Sequence, residues 1–235
     1  MMEHGIKAVL WDMDGVLIDS EPHYNVSVGE MARSLGFDYG AGEIAKVTGS
    51  SYKNIAEILG LDMPQAELQR LYIDALMRAV TENVTGLIDG VPEFLDLLKG
   101  CGVKMAIGSS SPRELVEFIV QKCGLSQWMD VMITGSDAEN GKPAPDIYLK
   151  CAERLGVTPT ECLVIEDSRN GILAGKNAGM FVCAFTGTKI HAFDLSDADF
   201  EISSYAPEET GKFVRLLARQ ENDARSNAAR VRHQR

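Results

Sequence analysis

Four short segments hold the residues whose types and spacing could do chemistry, and each lies at or just beyond an apolar run. The first is Asp12-Met13-Asp14-Gly15, after Ile6 to Trp11. Its two aspartates are two positions apart, so at strand spacing they share one face. Gly15 lets the chain leave the strand sharply. The second is Gly108-Ser109-Ser110-Ser111-Pro112, where an apolar strand empties into serines at a helix start. Hydroxyls and free backbone N–H groups there suit a phosphate oxygen. Ser109 is the better ligand candidate, Ser110 follows it, and Ser111 reads as the helix N-cap. The third is Gly141-Lys142-Pro143-Ala144-Pro145-Asp146. The prolines restrict their neighbours' dihedrals and so aim the lysine. Lys142 could neutralise phosphate charge and hold a carboxylate ionised, while Asp146 reads as an N-cap. The fourth is Glu166-Asp167-Ser168, after Cys162 to Ile165. Adjacent carboxylates repel unless a cation compensates them, and Mg²⁺ takes hard oxygen ligands of this kind. Each segment alone has an ordinary reading as a loop, a cap or a solvated charge. Their succession at strand ends is what points to one site.

The elements that must position these residues alternate. Strand-like runs at Ile6 to Trp11, Val103 to Gly108, Val131 to Ile133, Cys162 to Ile165 and Met180 to Phe185 are separated by helical patterns. Those helices are Pro92 to Lys99, Pro112 to Lys122, Asp146 to Leu155 and Asn170 to Ala178. This alternation predicts an α/β fold, a doubly wound parallel sheet with helices on both faces. Active sites in such sheets lie at the carboxyl ends of the strands. From Pro22 to Glu82 the pattern is helical only: Pro22 to Leu35, Ser51 to Leu59 and Pro64 to Glu82. The expected organisation is therefore a core of residues 1–19 and 86–219, an inserted helical domain of residues 20–85, and a polar, Arg-rich tail of residues 220–235.

Composition sets the boundaries of function. The chain has 235 residues, 45% of them hydrophobic, enough for a core domain carrying a smaller one. A formal net charge of −11 argues against nucleic-acid binding, because no basic excess is available to displace counterions. An anionic substrate would then need a metal ion and local cations. No run approaches the about 20 apolar residues of a membrane span, and Met1 to Ile6 does not read as a secretory signal. Five dispersed cysteines read as reduced thiols. A cytoplasmic protein, monomeric by default, is expected.

Taken together, the four segments resemble the haloacid dehalogenase-like superfamily, and within it the beta-phosphoglucomutase-like and sugar-phosphate phosphatase branch. Asp12-Met13-Asp14-Gly15-Val16 with Asp19-Ser20-Glu21-Pro22 is similar to that branch's opening signature, and the lysine and Glu166-Asp167-Ser168 segments to its later ones. The likeness runs from Ile6 to about Leu217, and the helical insertion matches the branch's cap domain. The resemblance implies an Mg²⁺-dependent phosphatase of a small phosphorylated metabolite. Asp12 would be the nucleophile and Asp14 the acid and base. Ser109, Ser110 and Lys142 would hold phosphate oxygens. Asp12, Asp167 and the backbone carbonyl of Asp14 would bind Mg²⁺, with Glu166 ligating or acting through water. His23, Ser50 and Tyr52 would contact the leaving group from the cap. Asp14 argues against dehalogenases and phosphonate-cleaving relatives, which lack this second acid. The mutases of the branch carry a histidine twelve positions after the nucleophile, where this chain has Tyr24, with His23 beside it. A phosphosugar mutase and a non-catalytic phospho-ligand module stand as alternatives.

Overall fold

Ala8-Val9-Leu10-Trp11 forms the first strand, β1 (Ala8–Trp11), and all four side chains are buried. A continuous apolar run of this kind suits a parallel strand covered on both faces. Five more strands join it: β2 (Lys104–Gly108), β3 (Val131–Ile133), β4 (Cys162–Glu166), β5 (Phe181–Phe185) and β6 (Phe200–Ile202). Every pairing is parallel, in the order β3-β2-β1-β4-β5-β6. Trp11 lies opposite both Ile107 and Ile165, so Asp12, Gly108 and Glu166 reach the carboxyl edge level with one another. The order reverses direction at β1, which makes this edge the topological switch point of the sheet.

The computed structural model describes residues 5–37, 40, 60, 62–188 and 194–213. The chain divides into two compact units, Met1–Ile18 with Gly86–Arg235, and Asp19–Thr85. The first holds the sheet together with α3 (Val91–Gly100), α4 (Arg113–Lys122), α5 (Asp146–Leu155) and α6 (Arg169–Asn177). One sheet face packs Leu10, Ala106, Val164 and Val182 against Ile147, Tyr148 and Cys151 of α5 and Ile172 of α6. On the other side Trp11 meets Phe94 of α3 edge-on at 5.6 Å between centroids, and Phe94 meets Phe213 at 4.9 Å. Such aromatic pairs add about 0.5–1.5 kcal/mol beyond area burial.

The second unit holds α1 (Glu21–Ser34) and α2 (Gln65–Asn83) among the described residues. Val28, Met31 and Ala32 of α1 pack against Leu68 and Ala75 of α2. The helix expected at Ser51 to Leu59 and the tail of residues 220–235 lie outside the described residues.

Three features depart from the sequence expectations. The strand β6 is additional. Neither Ser111 nor Asp146 takes the N-cap position. Pro112 and Pro145 do so instead, because each helix begins one residue after its proline. The Asp146 carboxylate accepts from the Asn140 backbone N–H at 3.0 Å and from its side-chain amide at 3.2 Å, closing the loop that carries Lys142.

Candidate active site

The loop after β1 turns within six residues and is held from several sides. Asp12 N–H donates to the carbonyl of Ile165 at 3.0 Å, fixing the backbone against β4. Gly15 has a φ of 75°, and its N–H bonds the carbonyl of Ile18 at 2.8 Å. Met13, Val16, Leu17 and Ile18 are buried, so the loop's backbone groups need partners. Ile88 N–H donates to the Leu17 carbonyl at 2.9 Å, the Tyr205 hydroxyl to that of Val16 at 2.9 Å, and the Thr188 hydroxyl to that of Gly15 at 2.8 Å. A Cβ on Gly15 would stand 1.9 Å from Asp167 Oδ2. Glycine there serves both the turn and the close approach of the Asp167 carboxylate.

Lys142 is the centre of the site. Its ammonium donates to Asp12 Oδ1 at 2.5 Å, Glu166 Oε1 at 2.6 Å and the Gly108 carbonyl at 2.9 Å. These acceptors come from β1's exit, the end of β4 and the end of β2, so one side chain ties three strand ends together. Glu166 is wholly buried and takes five donors. Lys142 and the Tyr148 hydroxyl, at 2.8 Å, share Oε1. The backbone N–H groups of Asp167 and Ser168, and the Ser168 hydroxyl, bind Oε2 at 3.0–3.1 Å. Ser168 in turn caps α6 by accepting from Gly171 N–H. With both oxygens engaged in this way, the Glu166 carboxylate is held as the anchor of Lys142 and of the α6 start.

Asp14 faces a different set of partners. Its Oδ2 accepts from the Ser111 hydroxyl at 2.6 Å and from that of Ser109 at 3.4 Å. Ser109 Oγ also accepts from Ser111 N–H at 3.0 Å. Ser109 is wholly buried and Ser110 is exposed. Ser111, read from the sequence as a cap, is thus the closer hydroxyl to Asp14. His23 lies in the first turn of α1, in the second unit. Ser50 and Tyr52 lie outside the described residues.

The charges are unevenly balanced. Burial pushes the Asp12 carboxyl up to about 8, with the nearby Glu166 and Asp14 adding to the rise and Lys142 opposing it. Burial works against the Lys142 ammonium, but Asp12 and Glu166 outweigh it and raise its pKa above the ordinary lysine value. Burial and Glu166 push the Tyr148 hydroxyl well up, so it remains a proton donor. Negative charge is therefore in excess. One carboxylate oxygen each from Asp12, Glu166 and Asp167 lies within 4.8 Å of the others. Because five donors already occupy Glu166, Asp12 and Asp167 are the hard-oxygen pair suited to a divalent cation.

The haloacid dehalogenase-like hydrolase family model matches residues 9–185, from the first strand through the fifth. The chain belongs to this family. Its haloacid dehalogenase-like relatives include the fructose-1-phosphate phosphatase of Escherichia coli (strain K12), 33% identical over 177 residues that cover 73% of this chain and 92% of that protein. The phosphorylated carbohydrates phosphatase of Thermotoga maritima is 34% identical over 179 residues, covering 74% of this chain and 82% of that one. Among solved structures, CbbY from Rhodobacter sphaeroides in complex with phosphate superposes with a TM-score of 0.75 at 25% identity, over 86% of this chain and 95% of that chain.

Sequence reasoning missed Ser111 and Tyr148 as members of the site. Ser111 beside a proline gave only a capping signal. Tyr148 sits on the buried face of α5 and reads as core. The one signal in its favour is that a buried tyrosine hydroxyl needs a partner.

Proposed function

We propose that this enzyme is a phosphatase of a small phosphorylated carbohydrate, working with Mg²⁺ and through an aspartyl-phosphate on Asp12. The observation that carries the reading is the Lys142 ammonium held between Asp12 Oδ1 and Glu166 Oε1 beside the Asp167 carboxylate. Asp12 attacks phosphorus, and Lys142 keeps that carboxylate oriented while offering positive charge to the phosphoryl oxygens. Asp14, oriented by Ser109 and Ser111, gives its proton to the leaving oxygen. It then takes a proton from the water that hydrolyses the intermediate. Asp12 and Asp167, with the Asp14 backbone carbonyl, would hold Mg²⁺. When bound, the metal supplies Lewis-acid stabilisation of the charge that develops on phosphate. The helical unit is read as the cap that selects the substrate, with His23 as its testable member. The names of the relatives support the carbohydrate class.

Phosphate release from a panel of sugar and polyol phosphates, with Mg²⁺ and with EDTA, tests this for wild type and D12N. Metal-dependent release that disappears in D12N is expected. Interconversion of hexose 1- and 6-phosphates without release would move the reading to a mutase. Neither activity would favour the binding-module reading.

A further inference from the structure

We infer that Tyr148 is a positioning residue for Lys142, its hydroxyl and ring face together holding the ammonium between Asp12 and Glu166. The inference rests on the phosphatase reading above. The Tyr148 hydroxyl donates to Glu166 Oε1 at 2.8 Å, the same oxygen that takes Lys142 at 2.6 Å. The Lys142 ammonium also stands 4.7 Å from the centre of the Tyr148 ring. One side chain therefore acts on the lysine twice, through its anchor and through its π face.

The donor count gives this arrangement a consequence. An ammonium has three N–H donors. In Lys142 the acceptors are Asp12 Oδ1, Gly108 O and Glu166 Oε1. A phosphate oxygen that binds Lys142 must share or replace one of them. Which acceptor yields depends on how strongly each holds. Two donors on Oε1 divide its charge, so Tyr148 loosens the grip of Glu166 on the lysine and leaves the ammonium available to Asp12 and to phosphate. Without the hydroxyl, the lysine would be drawn toward Glu166. The ring adds attraction on another side of the ammonium without offering a competing acceptor in its plane.

The surroundings keep the ring in place. Tyr148 is wholly buried on α5. A Cβ on Gly108 would stand 2.9 Å from Tyr148 Cε1, so the ring backs onto the residue whose carbonyl also binds Lys142. A larger residue at the end of β2 would push the ring off the lysine.

The test uses the full-length protein in Mg²⁺ buffer, comparing wild type, Y148F, Y148L, K142Q and the Y148F/K142Q double variant. Y148F keeps the ring and removes only the hydroxyl. Its kcat is expected to fall about tenfold, the size of a lost hydrogen bond to a charged group, with KM moving much less because Lys142 acts on charge that grows in the transition state. Binding of orthovanadate, a tetrahedral oxyanion that mimics the phosphoryl transition state when a carboxylate oxygen adds to it as a fifth ligand, should weaken in parallel when followed by calorimetry. Y148L, which also lacks the ring face, should lose more. On the K142Q background, Y148F should weaken vanadate binding no further. Wild-type kcat and vanadate affinity in Y148F would overturn the inference. So would an equal proportional loss on the K142Q background, or a collapse of the Y148F melting temperature, since either assigns the tyrosine to packing. Vanadate binding untouched by K142Q itself would instead bring down the site reading on which the inference rests.

Discussion

Gly171 lies inside α6, where helix propensity ordinarily favours alanine by about 1 kcal/mol. Here a Cβ would stand 1.7 Å from Glu166 Oε1. The carboxylate would have to leave the oxygen positions that five donors fix. G171A is therefore expected to destabilise the protein by about 1–3 kcal/mol, the cost of disturbing a buried, hydrogen-bonded polar group. It should also cut phosphate release at least as strongly as the loss of a single Glu166 donor. G100A is the control, because a Cβ there meets nothing within 4 Å. Thermal melts and rate measurements on both variants check this, and an unchanged G171A would mean Glu166 is not held where the geometry has it. At this scale the charged residues that the structure brings together were readable from sequence as candidates. Asp12, Lys142, Glu166 and Asp167 are chemically distinctive; the acids follow apolar runs, and the lysine directly precedes a Pro-Ala-Pro stretch. Tyr148 and Gly171 were not readable. Their roles come from which face of a helix meets the β2 and β4 ends, and that is set by packing.

At the scale of elements, the strands β1 to β5 were legible because burial on both faces leaves uninterrupted apolar runs. The strand β6 has only three residues, and its middle one, Glu201, is exposed. The other edge strand, β3, is as short but is apolar throughout, whereas the glutamate in β6 leaves no apolar run to be seen. The capping serine was misread because Pro112 itself takes the N-cap position, which frees the Ser111 hydroxyl for Asp14. The amino ends of the strands, opposite the site, are also fastened. Lys7 N–H donates to the Glu161 carbonyl at 2.8 Å, and the Lys7 ammonium meets Glu161 Oε1 at 2.5 Å, joining the segments that lead into β1 and β4. The hydrogen bond from Lys7, then those from Thr158, lower the Glu161 pKa from 4.5 to about 2. A lowered carboxylate pKa means that the unfolded chain binds the proton first. The stability it contributes is complete above pH 4.5 and is lost as pH falls toward 2. E161Q should be less stable than wild type at pH 7, and the two should converge near pH 2. Denaturant melts at several pH values measure this, and parallel curves would remove Glu161 from the acid response. Phosphate release at pH 7 should be little changed in E161Q, because the clasp sits at the far ends of the strands from Lys142.

Across the whole molecule the balance of charge is −11, and the carboxyl edge of the sheet follows the same sign. Among the described residues, Asp12, Asp14, Glu166 and Asp167 gather near the ammonium of Lys142. A divalent cation would offset the negative charge that Lys142 alone leaves unbalanced. Burial above all, with Glu166 and Asp14 adding to it and Lys142 opposing it, raises the Asp12 carboxyl from 3.8 to about 8. A raised carboxylate pKa means that the folded chain holds a proton the unfolded chain has released. That contribution is complete below pH 3.8 and fades as pH rises through about 8, so metal-free stability should decline over this window. Mg²⁺ requires the ionised carboxylate, so its binding should release a proton near pH 7 and tighten as pH rises. At a concentration of 100 times its Kd, a ligand confined to the folded state stabilises by about 2.7 kcal/mol. For a chain of this size that corresponds to a rise of roughly 5–10 °C in melting temperature. The expected pattern is a melting temperature that falls with pH in EDTA and rises with added Mg²⁺, most strongly at alkaline pH. D167N should lose the Mg²⁺ response, and D12N should lose the pH dependence of the metal-free protein as well. Melts of the three proteins from pH 6 to 9 decide it. An Mg²⁺ shift that survives in D167N would place the cation elsewhere on this acidic surface, and the metal-holding role of Asp167 would have to be given up.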